Sequence, residues 1–111
     1  MNYLYLASPY SHLDPEVREA RFHAACRKAA SYASQGLSVF APIAHSHPIA
    51  DHMSERDRLD FDLWMKMDLP ILRHASALHV LMLDGWRDSR GVTREIEYAH
   101  HVGIPVVYVE P

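Results

Sequence analysis

Four short apolar runs punctuate the chain: Tyr3–Ala7, Leu37–Ala41, Ala77–Leu83 and Val106–Val109. The first three stop at turn or breaker residues, namely Ser8-Pro9, Pro42 and Asp84-Gly85. Short and nearly unbroken runs of this kind suit strands buried on both faces of a parallel sheet. Between them lie helical stretches. Asp14-Pro15-Glu16 reads as a helix start, with Asp14 as N-cap and Pro15 at the first position; the helix runs to Gln35, and Gly36 closes it. A second helical zone covers about Asp57 to His74. Pro70 interrupts it, and one explanation is two helices in series, with Asp68 capping the second and Pro70 in its first turn. A third helix is expected from about Gly91 to Val102, closed by Gly103 with Pro105 beyond. The stretch from Pro42 to Arg56 reads as a long loop, a length more often functional than idle.

The resulting order, β-α-β-α-β-α-β, predicts one three-layer α/β domain over residues 1–111, flavodoxin-like or Rossmann-like. It has about four parallel strands in the order 2-1-3-4, joined by right-handed crossovers. Such sheets bind ligands beyond the carboxyl ends of their strands, at the switch point of the strand order. Ser8, Pro9, Tyr10, Ser11 and His12 lie there, as do the stretch Pro42 to His52 and the segment Asp84-Gly85-Trp86-Arg87-Asp88-Ser89-Arg90-Gly91. Trp86 and Tyr10 are candidates to stack on a ligand; Trp86 could equally serve to pack its loop down.

Charge and composition narrow the function. The net charge of −3 argues against a basic surface for a nucleic-acid polymer. No apolar run reaches the roughly 18 residues of a membrane span, and no basic segment with an apolar core follows Met1, so neither membrane nor export is expected. A lone Cys26 excludes an intrachain disulfide and a cysteine-rich zinc site, which makes the cytoplasm the expected compartment. The nine histidines are unusual. His45, His47 and His52 could supply metal ligands, line a pocket as hydrogen-bonding groups, or satisfy loop backbone. The expectation adopted is no metal and no cofactor, with His45 in the ligand pocket. His100 and His101 close a helix C-terminus, where positive charge is favourable.

The third helix carries the sharpest chemical signal. At about 100° per residue, Val92, Ile96, Ala99 and Val102 form one arc, and Glu95 falls inside it while Glu97 points away. A half-buried carboxylate is costly unless it is paired. It is therefore either a structural tie at the edge of the apolar stripe or a functional group.

These residues, taken in order, resemble a known family: Tyr5-Leu6-Ala7-Ser8-Pro9-Tyr10, Asp68-Leu69, Ala75-Ser76-Ala77, Asp88-Ser89-Arg90-Gly91-Val92-Thr93-Arg94-Glu95, and Ala99 with Gly103-Ile104-Pro105-Val106. The set is similar to the nucleoside 2-deoxyribosyltransferase superfamily, in particular a small bacterial branch, and to the related 2′-deoxynucleoside 5′-phosphate N-glycosidases. The resemblance implies an enzyme acting on the N-glycosidic bond of a nucleoside or nucleotide, with Glu95 as nucleophile at C1′ and Asp68 as supporting carboxylate. It places Tyr5 against the sugar and the nucleophile, and Ser8, Pro9 and Tyr10 in the first ligand-binding loop. Ser89 stands where relatives carry an Asp or a Ser facing sugar or phosphate. Asp84, Asp88 and Gly91 complete the expected substrate contacts. Cleaving the bond builds positive charge at C1′, which a carboxylate stabilises, and the leaving base needs a proton, which a second carboxyl group supplies. The resemblance also implies a homo-oligomer, dimer or tetramer. The Gly91–Glu95 stretch further echoes the phosphoribohydrolases of the lysine-decarboxylase-like fold, without their paired glycines. A binding or sensing module using the same pocket without turnover is the alternative.

Overall fold

The computed structural model describes residues 2–111. Its strands are β1 (Leu4–Ala7), β2 (Val39–Phe40), β3 (Ala77–Leu81) and β4 (Val106–Val109). Its helices are α1 (Pro15–Ser34), α2 (Pro42–Ala50), α3 (Glu55–Arg58), α4 (Phe61–Arg73) and α5 (Arg90–Val102), with a single 3₁₀ turn at Trp86–Asp88. All pairings are parallel and the order is β2-β1-β3-β4, as the run pattern predicts.

The central strand explains the layering. Tyr5, Leu6 and Ala7 are all fully buried, because β1 is paired on both sides and covered on both faces. Side chains alternate along a strand. Tyr5 and Ala7 join Leu72, Leu78, Val80, Val92 and Ala99 on the side of α4 and α5. Leu6 joins Tyr32, Ala41 and Leu81 on the side of α1 and α2. From β1 the chain moves first to β2 and later to β3, on the opposite side. With right-handed crossovers this puts α1 on one face and α4 and α5 on the other, and makes the end of β1 the switch point.

The helix ends follow their capping chemistry. Asp14 accepts from the Glu16 amide at 2.9 Å and Pro15 opens α1. Ser89 accepts from the Val92 amide at 3.2 Å and opens α5, and Gly103 ends it at φ 81°.

Two expectations need correction. The Pro42–Arg56 stretch is not a loop: it forms α2 with Pro42 at its start, then a short turn into α3. Nor is the Asp57–His74 zone split at Pro70. Asp60 caps α4 by accepting from Leu63 at 3.2 Å, and the helix runs unbroken through Pro70. The missing amide of Pro70 would have paired with the Lys66 carbonyl. Both residues are exposed, so the lost bond strands no buried partner. Asp68 therefore caps nothing, and its side chain is free to turn inward.

Candidate functional site

Three side chains from three elements converge beneath the carboxyl end of β1. Tyr5 on β1 donates its hydroxyl hydrogen to Glu95 Oε2 on α5. Asp68 on α4 stands near enough for its charge to act on both. Glu95 is 3% exposed and Asp68 5%. Burial pushes Glu95 up from its ordinary 4.5 to about 8, the Tyr5 hydrogen bond pulls it down and the Asp68 charge pushes it up. Burial likewise pushes Asp68 up from 3.8 to about 7. Burial also raises the Tyr5 phenol, with the two carboxylates adding to the effect. Asp68 Oδ1 has no hydrogen-bond partner, and neither does the buried hydroxyl of Ser8 at the end of the same strand. Unpartnered buried polar atoms are costly, which makes them candidates for ligand contacts. Phe40 packs on the Tyr5 ring at 5.7 Å, and His45 packs on Phe40 at 5.7 Å.

A second cluster lies on the α1 and α2 side of the strand ends. The Tyr10 hydroxyl meets His47 Nδ1 at 2.5 Å, and His47 Nε2 meets Glu19 Oε2 at 2.8 Å. Arg21 ties two loops that flank the site, donating to the Ser11 carbonyl at 3.0 Å and to the Asp84 carbonyl at 3.1 Å.

A family model described as "Domain of unknown function (DUF1937)" matches residues 2–110. The chain belongs to this family. Its fold is that of a solved 2-deoxyribosyltransferase from the psychrotolerant bacterium Bacillus psychrosaccharolyticus. That structure aligns with a TM-score of 0.69 at 22% identity, over 98% of this chain and 72% of the other. No curated protein matches the chain.

In this DUF1937 chain the residues expected at the site divide into groups. Tyr5, Asp68 and Glu95 come together. Ser8 and Pro9 are buried at the mouth of the same strand, and Tyr10 follows, half-buried. Asp84 and Asp88 are exposed. Trp86 packs on Tyr108 of β4 at 5.4 Å and joins the core, so it holds its loop down. The Ser89 hydroxyl serves as the cap of α5, and Gly91 lies in that helix's first turn, where an added Cβ would meet Ser89 Oγ at 4.0 Å. His45 is exposed on the outer side of Phe40. His45 and His47 diverge because residues two apart on a helix face different ways. Among the described residues, no cluster of three or more His, Cys, Asp or Glu is placed to hold a metal ion. Also among these residues, no helix is long and apolar enough to cross a membrane.

Two open hollows, of about 570 and 320 Å³, lie elsewhere. The larger follows the outer groove between α4 and α5, beside Met65, Lys66, Arg94 and Tyr98, and the smaller lies against α1 at Arg27 and Lys28. Neither is lined by Tyr5, Asp68 or Glu95. Burial, two carboxyl groups and the unpartnered Asp68 oxygen coincide at the cluster of Tyr5, Asp68 and Glu95. The partners missed from sequence are Phe40, Glu19 and His47's place beside it. The proline opening α2 signals a helix there, and a helix would have separated His45 from His47. Nothing in the sequence singles out Glu19.

Proposed function

We propose that the chain cleaves or transfers at the N-glycosidic bond of a deoxynucleoside or deoxynucleotide. The supporting observation is the Glu95 carboxyl group: buried, held by the Tyr5 hydroxyl, and next to a second buried carboxyl with a free oxygen. A carboxyl placed there purely for structure would leave the Asp68 oxygen unexplained.

With values near 7 and 8, the pair holds about one proton in that pH range. Positive charge developing at C1′ beside Glu95 favours its ionised form and leaves the proton on Asp68. A Glu95 oxygen then bonds to C1′ as the C1′–N bond breaks; the bond's electrons pass to the base nitrogen, which takes the Asp68 proton. In the second half, water or the nitrogen of an acceptor base attacks C1′ and gives its proton to Asp68. The C1′–O bond breaks and Glu95 is restored, with net retention at C1′. Tyr5 orients the nucleophile throughout. At 3% exposure Glu95 is covered, so a sugar reaches it only as the side chains above it part.

The test is to incubate the protein with a panel of deoxynucleosides and deoxynucleoside monophosphates, with and without acceptor bases, and to follow free base and new nucleoside by chromatography. Transfer without hydrolysis names a transferase; hydrolysis of monophosphates alone names an N-glycosidase. Glu95→Ala is expected to abolish base release while ligand affinity persists. Binding without any cleavage by the wild type would overturn the enzymatic reading in favour of a sensing module.

A further inference from the structure

The carboxyl chemistry leaves the Tyr10 cluster unused. Its members come from three elements: Tyr10 from the β1–α1 loop, Glu19 and Phe22 from α1, and His47 from α2. The His47 ring stacks on Phe22 at 4.2 Å and 26°, and meets Tyr10 edge-on at 5.5 Å, so its plane is fixed. Its two nitrogens point to two partners, and this sets the direction of every proton in the chain.

A carboxylate only accepts. The 2.8 Å contact with Glu19 therefore requires the proton on His47 Nε2. In the neutral imidazole Nδ1 is then the acceptor, and the Tyr10 hydroxyl must donate to it. The phenol's single proton is committed, and its oxygen is left with acceptor capacity alone. The charged groups around Tyr10 are Arg18, Asp51, Glu19 and Arg58, whereas those around Tyr5 are Glu95 and Asp68. Tyr10 lies just past the carboxyl end of β1, with its partners on α1 and α2, whereas Tyr5 on that strand reaches Glu95 on α5; a ligand seated at this switch point with its sugar at Glu95 would extend its far end toward the phenol.

We propose that Tyr10, polarised by His47 and Glu19, is a specificity-determining acceptor that selects ligands carrying a hydrogen-bond donor at that far end, namely the exocyclic amino group of a nucleobase. This rests on the reading of the site as a nucleoside pocket. An oxo group at the same place would set two acceptors against each other and leave both unpaired, a mismatch worth on the order of tenfold or more in affinity.

The experiment is calorimetric binding to the wild type and to Glu95→Gln. The probes are 2′-deoxyadenosine against 2′-deoxyinosine, 2′-deoxycytidine against 2′-deoxyuridine, and 2′,5′-dideoxyadenosine. Amino compounds are expected to bind about tenfold or more tightly than their oxo partners. Tyr10→Phe should bring that ratio near one. Glu19→Gln, which keeps an acceptor for Nε2–H, should preserve it, and Glu19→Ala should reduce it. Equal or tighter binding of the oxo compounds, or a ratio untouched by Tyr10→Phe, overturns the proposal. A loss with the 5′-deoxy compound as large as that with deoxyinosine moves the donor to the sugar hydroxyl and overturns the amino assignment. Failure of every compound to bind removes this proposal and the nucleoside reading together. Discriminating binding without base release removes only the enzymatic reading.

Discussion

Glu95→Gln separates the energetic consequence of the site from its chemistry. In the unfolded chain Glu95 loses its proton near its ordinary 4.5; in the folded chain it keeps it to about 8. Folding therefore takes up a proton between these values. The sign follows directly: stability is fully present below about pH 4.5, falls as pH rises toward 8, and levels off above. Asp68 acts in the same direction between 3.8 and about 7. At about 1.4 kcal/mol per tenfold change, burying Glu95 costs on the order of 5 kcal/mol at alkaline pH. That rivals the whole stability of many domains, typically about 5–15 kcal/mol. Glutamine keeps the shape, its Oε1 still accepts from the Tyr5 hydroxyl, and no charge is buried. The variant should match the wild type within about 1 kcal/mol at pH 5 and exceed it by several kcal/mol at pH 9. Urea denaturation across pH 5–9, read as midpoint with unchanged slope, measures this. A wild-type stability that stays flat over that range, or a variant no more stable at pH 9, would mean that the carboxyl group is well solvated in the folded chain. A Glu95 solvated in this way would not be the shielded nucleophile proposed at C1′.

Further outcomes concern the same neighbourhood. With one proton on the pair between about 7 and 8, the rate of base release should be bell-shaped with its maximum in that range. Tyr5→Phe removes the bond that pulls Glu95 down, so the limb set by Glu95 should move to higher pH, visible in a pH–rate profile. Asp68→Asn should lower base release by on the order of 10²–10⁴-fold for ordinary bases, and far less for a nucleoside with an acidic leaving group that needs no proton. Gly85 has φ 89°, and a Cβ there would lie 2.8 Å from Arg21 Nη2. Gly85→Ala should destabilise by about 1–2 kcal/mol in chemical denaturation and release the loop that Arg21 ties to α1.

The parts of this molecule that could be read from sequence are those where one local rule acts without competition. The unbroken runs at Tyr3–Ala7 and Ala77–Leu83 suit doubly covered strands, and the structure buries Tyr5, Leu6, Ala7, Leu78, Val80 and Leu81 completely. Asp14-Pro15 and Gly103 are caps whose chemistry leaves little choice. Glu95 stood out because helical periodicity put a charge on an apolar arc, and burial of that charge is what the structure contains. Prolines misled where they had two readings. Pro70 looked like a break because a proline removes a helical hydrogen bond, yet on the exposed face the lost bond strands no buried partner and the helix continues. That difference decides the fate of Asp68. A break would have assigned its side chain to capping; continuity turns it toward Tyr5 and Glu95. Pro42 ends an apolar run and so suggests a loop, although a proline at the first helical position favours a helix, and that helix aims His47 at Tyr10 and His45 at Phe40. The Glu19 contact was illegible for a different reason. It depends on how α1 and α2 pack side by side, twenty-eight positions apart in the chain, and no periodicity within either helix encodes the meeting of two particular side chains. Local rules thus recover the strands, the caps and the buried charge. The carboxyl pair and the Tyr10–His47–Glu19 chain arise one level higher, where continuous helices are docked against a sheet and the identity of a facing residue is settled by packing.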